Sequence, residues 1–207
     1  MNKPIFCIVG RSGAGKSTYL DLILNDKKMK NKVKELKYCT TRRKRYKEED
    51  SYYFVKNDKF IEELEAGNII ESRHYEKYDE DVEYFTTYDN LNVQDCDALI
   101  CAASVDQALS YIEKLDNIYV IDIKVDLKER IQRLLERAES DDEVLEVCRR
   151  AVEEQEEYSR INSIEKNIIH IYNDNSEFQF SNTGNMLYSL ITSANLNTIE
   201  NYILERI

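Results

Sequence analysis

The chain has 207 residues, 42% of them hydrophobic and 33% charged, a composition that excludes disorder over its whole length. Its 29 basic and 40 acidic residues leave a net charge of −11, which argues against bulk binding to nucleic acid or an anionic membrane. No apolar run approaches the roughly 20 residues that span a bilayer. The opening MNKPIFCIVG runs straight into a strand-like segment, so the expectation is a cytoplasmic protein with neither nucleic-acid nor membrane partners. The five cysteines are scattered and show no CxxC spacing, which fits reduced thiols better than a disulfide frame or a zinc site. With only His74 and His170, both read as structural, imidazole chemistry has little material.

In chain order, Ile5 to Val9 predicts a buried strand, and Leu20, Ile23 and Leu24 a helix beyond the segment GRSGAGKST. Residues 33–54 are polar and basic and end in the strand-like SYYFV. Asp58 is expected to cap a short helix carrying Phe60, Ile61 and Leu64 and closed by Gly67. Asn68 to Glu71 reads as a short strand, and the acidic, tyrosine-rich stretch 75–88 as loop and strand. Ala98 to Ala102 predicts a buried strand, followed by a helix around 105–114 and a strand near 118–125.

Leu127, Ile131, Leu134 and Leu135 mark a further helix, on which Arg130 and Arg133 are read as surface charges beside acidic neighbours. After ESDDE, a helix over 143–161 is expected to face inward with Val144, Cys148, Ala151, Val152 and Tyr158. Ile168 to Tyr172 predicts the last strand, before one or two helices with Leu187, Leu190 and Ile191 in phase. Strands alternating with helices imply an α/β fold whose mostly parallel sheet is wrapped by helices.

Gly10, Gly15, Lys16 and Ser17 match the spacing G-x-x-x-x-G-K-[ST], with Ser12, Gly13, Ala14 and Thr18 completing the loop. Glycines there let successive N–H groups turn inward as an anion nest at a helix N-terminus. Lys16 brings a full positive charge to β- and γ-phosphates, and the Ser17 hydroxyl is a hard ligand suited to Mg²⁺. The bland alternative is a flexible turn with a stray lysine, but a predicted strand before it and helix after it favour nucleotide binding.

RRKRYK at 42–47 puts five positive charges into an acidic chain, a pattern that a solvated run would also give. The surrounding residues favour a site. Tyr38-Cys39-Thr40-Thr41-Arg42-Arg43-Lys44-Arg45, then Glu48 and Tyr52-Tyr53-Phe54, resembles the monophosphate-binding segment of the guanylate kinase family. Ile69-Ile70-Glu71 resembles that family's strand ending in a guanine-reading glutamate, and Tyr84-Phe85-Thr86 its Y-G-S/T. The resemblance covers roughly residues 3–175.

The resemblance implies a P-loop NTPase-type three-layer fold, with core 1–33, 89–136 and 161–207, an inserted monophosphate segment 34–88, and a helical lid 137–160. It implies ATP and Mg²⁺, with small nucleotides as partners, in a monomer or dimer. Arg42, Arg45, Tyr52 and Tyr84 would hold the acceptor phosphate; Glu71, Thr86 and Tyr38 the acceptor base; Arg137 and Arg150 the transferred group with Lys16 and Arg42; Asn173 the adenine. The chemistry fits these residue types. Two arginines can converge on one phosphate, and a carboxylate can accept from both N1–H and the amine of guanine.

The chain also departs from the pattern. Tyr38 stands where the family has serine, Phe85 where it has glycine, and Cys101 and Ala103 where it has the two acids of L-D-x-D. Asp122, ending Tyr119-Val120-Ile121-Asp122, could offer a surrogate acid. These departures keep open a different nucleotide or sugar-phosphate acceptor. A non-catalytic binding module of guanylate kinase type is the third possibility, which the intact Lys16 and Ser17 oppose.

Overall fold

The computed structural model describes residues 3–77, 80–173, 185, 188 and 189. Its central sheet is wholly parallel. Strand β1 (Ile5–Val9) lies between β7 (Ala98–Ala102) and β8 (Ile118–Lys124), with β2 (Val33–Glu35) beyond β7 and β9 (Ile168–Tyr172) beyond β8. All five residues of β1 are buried, as a strand covered on both faces requires. Phe6 and Ile8 pack on one face with Tyr19, Leu20 and Ile23 of α1 (Lys16–Asn25). Ile5, Cys7 and Val9 pack on the other with Val105, Ala108 and Tyr111 of α3 (Val105–Lys114). The alternation along β1 thus builds two cores. The expected α/β architecture is present, and all five cysteines are free thiols.

A second, four-stranded sheet has the order β4 (Tyr53–Phe54), β3 (Cys39–Thr40), β6 (Glu80–Thr87), β5 (Ile69–Lys77). Helix α2 (Asn57–Glu65) lies between β4 and β5 in the chain, and α4 (Leu127–Leu135) and α5 (Asp141–Ser159) follow β8. Gly67, at φ +67°, ends the turn after α2. Among the described residues no helix is long and apolar enough to cross a membrane.

Three sequence expectations need correcting. Helix α2 starts one residue before Asp58, so Asp58 sits in the first turn, where its charge meets the helix dipole, and Lys56 is the cap residue. The strand expected at 68–71 extends to Lys77 and pairs antiparallel with β6; its charged side chains hid the alternation. Of the face of α5 expected inward, Val144, Cys148 and Val152 are exposed, Val152 at 75%, while Tyr158 does turn inward and the buried apolar residue is Val147. That helix turns Glu154 and Tyr158 inward with Val147, so a polar stripe faces the body of the protein. The C-terminal helices with Leu187, Leu190 and Ile191 lie outside the described residues.

Asp122 at the C-terminal end of β8 is fully buried. It accepts from the Tyr158 hydroxyl of α5 and sits 2.8 Å from His170 Nδ1 of β9. Both carboxylate oxygens are thereby engaged in tying α5 and β9 to the sheet. Asp122→Ala strands these partners around an empty carboxylate site and is expected to cost about 3 kcal/mol, read from the urea unfolding midpoint.

Candidate active site

The glycine loop leaves β1 and enters α1 through backbone that side chains would obstruct. Gly15 opens α1 at φ +98°, and a Cβ there would lie 2.8 Å from Asn173 Nδ2. Asn173 Nδ2 donates to Ala14 O at 2.9 Å, so this predicted adenine contact is turned onto the loop itself. Lys16 Nζ donates to Gly10 O at 2.6 Å, folded back over the loop. Burial pushes its pKa down, and the nearby carboxylates of Glu154 and Glu157 pull it back up. Ser17 and Thr18 are exposed at the start of α1.

Arg130 and Arg133 are not surface charges. Arg130, 1% exposed, donates from Nη1 to Ser12 O at 3.1 Å, and Arg133 Nη1 donates to Gly13 O at 3.3 Å. Leu127, Ile131 and Leu135 define a face by spacing, but the packed side of α4 is the one that carries these arginines. Arg137 is exposed just beyond the helix. The backbone amide of Ser12 donates 2.8 Å to Glu154 Oε2, and the Ser12 hydroxyl donates to Glu154 Oε1. Arg130 Nη1 completes the contact at 3.3 Å. A carboxylate of α5 therefore occupies a backbone amide of the glycine loop.

On the acceptor side, Arg42 is fully committed. Its Nη2 and Nη1 meet the two oxygens of Glu49 at 2.7 and 3.1 Å, and its Nε donates to Tyr84 Oη at 3.1 Å. Glu49 also accepts from the backbone N–H of Arg45 at 2.7 Å. Arg42 holds the Glu49 carboxyl down at about 2. The partner glutamate is thus Glu49, next to the exposed Glu48. The ring of Tyr52 lies 5.4 Å from that of Tyr84, edge to face, beneath the Arg42 guanidinium. The Arg45 side chain is exposed.

Glu71 is buried in a polar knot. Gln107 Nε2 donates to its Oε1 at 2.6 Å, and the Thr86 hydroxyl lies 3.4 Å from the same oxygen and 2.7 Å from Tyr111 Oη. Desolvation raises the Glu71 pKa. Ser104 caps α3 and fixes Gln107 through a reciprocal capping box, which orients this unforeseen partner. The S-x-x-Q spacing was its sequence signal. Tyr38 donates to Ala102 O at 2.8 Å, while Cys101 is buried with its Sγ 3.9 Å from that of Cys7. One cavity of about 670 Å³ is lined by Lys16, Tyr38, Tyr52, Glu71, Tyr84 and Arg150, among others. Arg42, Arg45, Thr86, Arg137 and Asn173 lie outside its wall.

A family model for guanylate kinase matches residues 1–181. The chain belongs to the guanylate kinase family. No curated protein matches it. Among solved structures it is similar to guanylate kinase from Anaplasma phagocytophilum, at 18% identity and a TM-score of 0.56 over 93% of this chain and 88% of that one. It is also similar to TT1252 from Thermus thermophilus, at 13% identity and a TM-score of 0.49 over 93% of this chain and 100% of that one. Family membership supports a nucleotide kinase.

Glu154 competes with any phosphate for the Ser12 amide. Glu154→Gln removes the competing charge and keeps the shape, and is expected to tighten ATP binding by about 3- to 10-fold at low salt, measured by titration calorimetry.

Proposed function

We propose that the protein transfers the γ-phosphoryl group of ATP to the phosphate of GMP or dGMP, giving ADP and GDP or dGDP. The observation that carries this reading is the sharing of one cavity by Lys16 of the phosphate loop and Glu71 of the acceptor segment. An acceptor phosphate oxygen attacks the γ-phosphorus while the β–γ bridging bond breaks, and the electron pair leaves on ADP. The acceptor is already anionic and needs no strong base, so positioning and charge neutralisation supply the catalysis.

Lys16 and the loop amides would hold the β- and γ-phosphates once Glu154 is displaced. Tyr52 and Tyr84 would donate to the acceptor phosphate, with Arg42 and Arg45 exchanging Glu49 for it. Arg150, paired with Glu146 at 2.7 Å in the cavity wall, would turn to the transferred group. Closure of segment 34–88 and lid 137–160 would exclude water. Among the described residues no group of three His, Cys, Asp or Glu could cage a metal, and Asp122 is engaged elsewhere. The residues present fit a Mg²⁺ carried largely by nucleotide phosphates and water, with Ser17 as its protein ligand. When bound, that ion neutralises phosphate charge.

A coupled ADP-release assay with ATP, Mg²⁺ and GMP, dGMP, AMP, CMP, UMP or dTMP tests the proposal. Turnover confined to GMP and dGMP, on the order of 1–100 s⁻¹, is expected. Silence across the panel with ATP still bound would sink it in favour of another acceptor or a binding module.

The ionised form of Glu71 is the one that accepts from guanine, and its folded pKa lies above the ordinary glutamate value. The KM for GMP is therefore expected to rise as pH falls through that raised pKa, while the KM for ATP stays level. Glu71→Gln should abolish this acid limb in a pH profile of kcat/KM.

A further inference from the structure

Strand β5 continues past Glu71, and its alternation places Glu71, Arg73 and Tyr75 on one face. Opposite them on β6 stand Thr86 and Tyr84, in the registers Glu71 with Thr86 and Arg73 with Tyr84. Arg73 and Glu71 line the same cavity, with Arg73 Nε 3.9 Å from Glu71 Oε2. On its other side, Arg73 Nη2 lies 3.9 Å from Glu157 Oε1 of the lid helix. Both of those last two atoms are buried without a hydrogen-bond partner among the described residues.

Several neighbouring donors are spoken for. The Tyr38 hydroxyl donates to Ala102 O, Gln107 Nε2 to Glu71, and the Arg42 guanidinium to Glu49 and Tyr84. Arg149 and Arg150 are paired with Glu146 on their own helix. Apart from a side-chain hydrogen bond with Tyr75, Arg73 is held only by these two 3.9 Å contacts, and its Nη2 stands unpaired at the edge of the pocket close to Glu71. A buried donor left unpaired is costly, so the site is built for an acceptor supplied from outside.

We propose that Arg73 is a specificity residue that donates to the O6 and N7 atoms of the acceptor base, beside Glu71 accepting from N1–H and the 2-amine. This rests on the guanylate reading above and narrows it: the acceptor is a 6-oxopurine nucleoside monophosphate. Side by side, a carboxylate and a guanidinium complement adjoining donor and acceptor edges of guanine, and arginine pairs with O6 and N7 in the commonest guanine contact. Adenine meets two mismatches. Its 6-amine would point a donor at the guanidinium, and its N1 lone pair would face the carboxylate. Arg73 also discharges part of the repulsion between Glu71 and Glu157, so the base would close the gap between acceptor strand and lid.

The test compares kcat and KM for GMP, 7-deaza-GMP and IMP in the wild-type chain and Arg73→Ala, with ATP saturating. Arg73→Ala is expected to raise the KM for GMP by about 10- to 100-fold with a smaller change in kcat. The wild type should lose about 10-fold in kcat/KM on going from GMP to 7-deaza-GMP, and Arg73→Ala should lose almost nothing further on that change. The penalty for IMP, which lacks the amine facing Glu71, should be the same in both proteins. An equal 7-deaza penalty in the two proteins overturns the assignment. So does equal wild-type activity on GMP and 7-deaza-GMP, a comparison that stands even if the variant fails to fold. Turnover of neither GMP nor IMP by the wild type would overturn the guanylate reading itself.

Discussion

The close approach of two backbones at Gly13 governs much of this structure. A Cβ there would lie 2.8 Å from the carbonyl oxygen of Arg130, and the residue adopts φ +80°. Glycine alone tolerates both conditions without strain. Because α4 can come this near, Arg130 and Arg133 reach the carbonyls of Ser12 and Gly13, and Glu154 of α5 reaches the amide of Ser12. The phosphate loop is therefore shaped by the helices that follow β8 as much as by its own glycines.

The electrostatics of the site follow from that contact. The chain carries a net charge of −11, and several cations around the cavity and the glycine loop are already engaged. Arg42 holds Glu49, Arg130 holds Glu154, Arg150 holds Glu146, and Lys16 rests on the loop carbonyls. Pairing these arginines with carboxylates limits the cost of gathering like charges together.

Around Glu71 the polar partners come from α3. Gln107, Tyr111 and Ser104 build a polar knot around Glu71 that leaves one of its oxygens toward the cavity. Cys101 instead packs against Cys7 in the core, where a thiol behaves as a small apolar group.

The sequence by itself determined the parallel sheet, the glycine loop between β1 and α1 and the strand that carries Glu71, because apolar runs and fixed loop spacings are local properties. It also carried the family resemblance on which Tyr52 and Tyr84 were assigned. Only the tertiary structure decided that Arg130 is core while Arg137 is surface, that Glu49 takes Arg42 in place of Glu48, and that α5 faces inward with Glu154. Each of these depends on which side of a helix or turn meets a neighbour. Charged side chains repeat on several faces of α4 and α5, so periodicity could not choose among them. The packing that settles the matter seats Glu154 against Arg130 and Glu49 against Arg42.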